Sequence, residues 1–74
     1  MGRLRAFSGK ELCKLLTENG FIEARRRGSH VVMQKRSAAG TTTVVVPDHR
    51  EVRVGTLLSI IRQSQLPRDV FEVR

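Results

Sequence analysis

The chain has 74 residues, 39% of them hydrophobic, with three phenylalanines as its only aromatics; a fold this small buries roughly 60% of its unfolded surface, which excludes a large enclosed active site. Fourteen Lys and Arg against seven Asp and Glu give a formal net charge of +7 and point to a polyanionic partner. The single cysteine excludes an internal disulfide and leaves a Cys/His zinc site short of ligands, and no apolar run is long enough for a membrane span or a signal segment, so a cytoplasmic setting is expected.

Ser8 followed three residues later by Glu11 is a capping-box pattern, and Leu12, Leu15 and Leu16 then fall on one helix face, predicting a helix over about 9–19. Asn19-Gly20 supplies the stop, because glycine accepts the left-handed backbone that closes many helices. Three short segments rich in Val, Ile and Thr follow at 21–27, 30–36 and 41–46, separated by Gly28-Ser29 and by 37–40, which predicts an antiparallel meander ended by Pro47. Val54, Leu57, Leu58 and Ile61, with Ile60 beside them, give a second helical stripe. Pro67 then opens a short terminal helix carrying Val70 and Phe71.

The fold class is α+β. A helix, three strands, a helix and a short C-terminal helix form one expected domain over 1–74, with both long helices packed on one face of a three-stranded antiparallel sheet. The other face then stays open to solvent. Along the second strand, Val31, Met33 and Lys35 share one face and His30, Val32, Gln34 and Arg36 share the other. The first set begins more apolar, which assigns it to the core and His30 to the open face or its edge.

Arg25, Arg26 and Arg27 run directly into Gly28-Ser29-His30, and Lys35 and Arg36 close the partner strand. Alternation sends Arg25 and Arg27 to one face and Arg26 to the other. As a protruding arm, the hairpin suits a phosphate backbone, which offers charge on several sides; as a solvated edge, the same charges guard against unwanted strand pairing. His30 is the residue beside this run that can both take and give a proton near neutral pH. RNA asks for little more, since its own 2′-hydroxyl attacks the adjacent phosphorus once a base removes the proton and cations hold the charge. His49, after Pro47-Asp48, is either an auxiliary acid or a turn residue. The seven carboxylates show no pairing of the kind a two-metal nuclease needs, so neither metal nor other cofactor is expected. Ser29 reads as a turn residue or phosphate contact, and Cys13, among the leucines of the first helix, as core filler.

Six blocks, Ser8-Gly9-Lys10-Glu11-Leu12, Asn19-Gly20-Phe21, Gly28-Ser29-His30, Val46-Pro47-Asp48-His49, Gly55-Thr56-Leu57 and Ile60-Ile61-Arg62-Gln63, stand in the order and spacing of HicA-type (YcfA-like) toxins, and together they cover nearly the whole chain. The resemblance implies a fold similar to a double-stranded-RNA-binding domain, an mRNA interferase activity independent of the ribosome, and neutralisation by a HicB-type antitoxin. It also implies that the catalytic histidine is His30, from the Gly-Ser-His motif. The chain departs from the pattern in its tail, with Gln65-Leu66-Pro67 where Gly-Leu-Ser is usual and fewer acidic residues before Phe71. It departs again at Val31, where a polar residue or second histidine is common.

Two further readings stand beside an endoribonuclease with His30 as general acid or base and Arg25, Arg26, Arg27, Gly28, Ser29, Lys35 and Arg36 holding RNA. One is a double-stranded-RNA-binding module that grips by shape and phosphate contact without cutting. The other is a DNA-binding or protein-interaction regulator, which the few basic residues on the second helix disfavour.

Overall fold

A computed structural model describes residues 2–73. The order is α1 (Gly9–Glu18), β1 (Ile22–Arg27), β2 (His30–Ser37), β3 (Gly40–Pro47), α2 (Val54–Ser64) and a terminal 3₁₀ turn (Arg68–Phe71). The α-β-β-β-α layout expected from the sequence is the one observed.

α1 begins at the capping box: Ser8 Oγ accepts the Glu11 amide at 3.1 Å and the Glu11 carboxylate accepts the Ser8 amide at 2.8 Å. The backbone hydrogen bond from Ser8 also holds the Glu11 carboxyl below its ordinary pKa. At the far end Gly20, at φ +94, donates to the Thr17 carbonyl while Phe21 donates back to Leu16. This is a Schellman closure, with its usual apolar contact made here by two buried residues, Phe21 and Leu16.

The sheet has the order β1-β2-β3, antiparallel throughout. Its inner face carries Val31, Met33, Val44 and Val46, packed in one core with Leu12 and Leu16 of α1 and Leu57 and Ile60 of α2. Burying each such side chain removes enough apolar surface to contribute about 1.5–3 kcal/mol. Phe7 and Phe71 close the core edge to face, 6.1 Å between ring centres, and the Arg5 amide donates to the Phe71 carbonyl, which ties the two ends of the chain together.

α2 lies along β3, and its buried arc differs from the sequence reading. Leu57, Ile60 and Ser64 are buried, whereas Val54 and Leu58 remain 66% and 40% exposed. Two apolar stripes at helical spacing coexist in this segment, and the position of β3 selects one of them. Gln63 reinforces the choice: its side-chain oxygen accepts the Val45 amide at 3.3 Å, so α2 caps the outer edge of β3. The buried Ser64 hydroxyl is satisfied too, donating to the Ile61 carbonyl and accepting the Leu66 amide.

Candidate functional site

The hairpin between β1 and β2 turns on Gly28-Ser29, with Gly28 at φ +59 as a type II′ turn demands of its first central residue. An added Cβ on Gly28 would meet nothing within 4 Å. The turn sets Arg27 directly opposite His30, and β3 sets Pro47 opposite His30 on the other side. His30 therefore sits at one end of the sheet, exposed, with its neighbours' Cβ atoms about 5 Å away.

The turn and simple alternation put Arg25 and Arg27 on the face of His30, and a bulge upstream reconciles that with the core. β1 pairs Ile22 with Gln34 and Glu23 with Met33, then skips Ala24 before Arg25 pairs with Val32. The extra residue reverses the alternation, so that Phe21 still faces the core while Arg25 and Arg27 join His30 on the open face. The placement of His30, Gln34 and Arg36 opposite the core agrees with the sequence expectation. Arg36 is six residues along β2, roughly 20 Å from His30, and so belongs to the same face but not to the same spot.

Arg26 and Lys35 go to the other side. Arg26 shares a face with buried Val31 and donates to the Asp48 carboxylate at 2.8 Å. That hydrogen bond holds the Asp48 carboxyl below its ordinary pKa, against a smaller opposing effect of burial. Lys35 lies 5.9 Å from the centre of the Phe21 ring. The basic run is thus divided between an open-face group and a pair engaged with the helix side.

Asp48 joins the two histidine-bearing segments a second time, because its backbone N–H donates to the Ser29 carbonyl at 2.6 Å. His49 is held next to it by the Gly9 amide, which donates to the His49 carbonyl at 2.8 Å. Gly9 is buried against this loop, and a Cβ there would collide with the Pro47 carbonyl and come within 2.7 Å of the Asp48 Cα. The start of α1, the β1–β2 turn and the loop after β3 are locked together at one end of the molecule.

The result is a cavity of about 590 Å³ where the open face meets the start of α2, lined by His30, Pro47, His49, Glu51, Arg53 and Thr56. Both histidines border it. Two groups that can exchange protons, beside an arginine-bearing face, can serve acid-base chemistry on a phosphate ester. Sequence reasoning missed Arg53 and Thr56, since neither falls on the apolar stripe that marks α2, and the one available signal was their place beside Gly55 in the Gly55-Thr56-Leu57 block.

Cys13 is half-buried against the core, and burial pushes its thiol pKa up, which suits filler rather than a nucleophile. Among the described residues no three His, Cys, Asp or Glu side chains gather as a metal-binding group. No helix among them is long and apolar enough to cross a membrane.

Compared with known proteins, residues 9–66 match a family model described as the HicA toxin of bacterial toxin-antitoxin systems. No curated protein and no solved structure matches.

Proposed function

The chain belongs to the HicA toxin family of bacterial toxin-antitoxin systems, and from that premise we propose that it is a metal-independent endoribonuclease acting on mRNA in the cytoplasm. As a toxin of such a system it has an antitoxin partner, and the proposal makes that partner a HicB-type protein which covers His30 and the basic face.

The observation that carries this reading is the shared cavity of His30 and His49 beside Arg25 and Arg27. In the proposed reaction one imidazole takes the proton of a 2′-hydroxyl as its oxygen bonds to the adjacent phosphorus. The bond from phosphorus to the 5′-oxygen breaks, and a protonated imidazole gives that oxygen its proton. The products are a 2′,3′-cyclic phosphate and a free 5′-hydroxyl. His30 is assigned as the essential acid or base, His49 as its partner, and Arg25, Arg27, Arg36, Gly28 and Ser29 as contacts for the strand. Lys35 and Arg26, on the other side, contribute to the field and to the site's framework. Residues 1–74 act as one unit in this reading.

The test is cleavage of single-stranded mRNA by purified protein in EDTA, compared with His30→Ala. Positioned proton transfer contributes about 10²–10⁴ in rate, so the variant is expected to lose cleavage while its circular dichroism spectrum stays unchanged. Equal cleavage by both proteins overturns the mechanism. Intact RNA with salt-sensitive binding retained identifies a binding module instead.

A further inference from the structure

The two-histidine cavity needs a cation on the phosphate it is to work on, and the basic hairpin supplies that charge from the open face alone. Arg27 stands across the strand from His30, and α2 closes the cavity on its other side. The first residues of α2 carry a different basic group. Arg53 stands at the N-cap position of α2 and lines the cavity with His30, His49 and Thr56.

Two facts leave Arg53 available to a ligand, and a third sets it apart from the other cations. Its side chain caps nothing, since α2 begins without a side-chain cap hydrogen bond. Among the described residues it makes no ion pair, whereas Arg5, Arg26 and Arg68 each hold a carboxylate. Among the described residues it is also the one Lys or Arg bordering the cavity that both histidines border. Glu51 lines the same cavity without pairing to it, so the one negative charge there leaves the guanidinium free for an incoming anion. A guanidinium presents N–H donors in a planar fork that fits two phosphate oxygens at once.

We infer that Arg53 binds the scissile phosphate of RNA within the His30/His49 cavity, which makes it a further catalytic residue on the wall opposite the arginine hairpin. The Thr56 hydroxyl, one turn into α2, is available to the same phosphate. Arg53 would hold the non-bridging oxygens as the 2′-oxygen bonds to phosphorus, where negative charge builds up. Arg25 and Arg27 would hold flanking phosphates. The inference rests on the endoribonuclease reading for its chemistry, and its test is separable from that reading because phosphate binding is measured without turnover.

The experiment titrates wild type, Arg53→Lys and Arg53→Gln with a nucleoside 3′-monophosphate, following the imidazole NMR signals of His30 and His49, and measures kcat and KM on a short RNA with the same proteins. Wild type is expected to bind with both imidazole signals moving. Arg53→Gln is expected to bind about tenfold more weakly, and Arg53→Lys to recover part of the loss, because a lysine keeps the charge but not the fork. On RNA, Arg53→Gln should lower kcat by about 10²–10³ with KM changed little, as for other groups that hold developing charge. Unchanged nucleotide affinity in a folded Arg53→Gln protein overturns the inference, and so does a loss confined to KM. If wild type leaves RNA uncut but Arg53→Gln still weakens nucleotide binding, the phosphate site stands and the cleavage reading falls.

Discussion

The backbone N–H of Asp48 donates to the carbonyl of Ser29 at 2.6 Å, across nineteen positions of chain, and this bond brings His49 to His30. The Asp48 carboxylate takes the Arg26 guanidinium at the same place. One residue therefore hooks the Gly-Ser-His turn to the Pro-Asp-His loop through both its main chain and its side chain.

The side-chain half of that hook is removable by substitution and by acid. Asp48→Asn is expected to lower kcat about tenfold with little change in melting temperature, because the pair is partly exposed and a small displacement of a reacting group is costly. The Asp48 pKa is depressed in the folded chain, so the hook's contribution is complete above the ordinary carboxylate value, about 3.9. It is lost as pH falls through the lower folded value. Arg26 side-chain NMR signals followed from neutral pH into acid should show this transition, and Asp48→Asn should not. A wild-type Arg26 signal that never moves refutes the linkage.

Gly9→Ala tests the close approach of α1 to the loop carrying His49. The new methyl would meet the Pro47–Asp48 backbone, and backbone cannot swing aside as a flexible side chain does. A loss of about 1–3 kcal/mol in denaturant unfolding is expected, together with slower cleavage. Full stability and full rate in this variant would show that the loop is not positioned by this contact.

The division of the basic run can be read from salt dependence. Each phosphate contact on a single strand contributes about 0.7 to the slope of log affinity against log salt. Arg25→Gln combined with Arg27→Gln should reduce the slope by roughly 1.4. Lys35→Gln, with its charge on the other face, should leave it nearly unchanged. Equal reductions from the two faces would mean that RNA does not prefer the open one.

Gln65 holds φ +59 at the end of α2, where the toxin family commonly has glycine. A left-handed backbone costs a residue with a Cβ about 1–2 kcal/mol, part of which glycine returns through its freer unfolded chain. Gln65→Gly is therefore expected to raise stability by about 0.5–1 kcal/mol, measured by urea unfolding, with cleavage unaffected. A destabilised variant would mean that the Gln65 side chain makes a compensating contact.

The elements and their order were legible in the chain because their signals are local. Ser8 and Glu11 cap α1, Gly20 and Gly28 stand where the backbone must turn left-handed, and the alternation in β2 separates Val31 and Met33 from His30. The motif blocks named the family for the same reason, as each is a short stretch with its own turn or cap.

What the tertiary structure alone decided concerns partners distant in sequence. The bulge at Ala24 let Phe21 enter the core while Arg25 and Arg27 stay on the face of His30, and β3 chose which stripe of α2 is buried. The long-range bonds of Gly9, Ser29 and Asp48, with that of Val52 to Phe7, hold the segment that sets His49 and Arg53 at one cavity with His30. Local periodicity carries no record of these choices, since each depends on which surfaces fit once the whole core has closed.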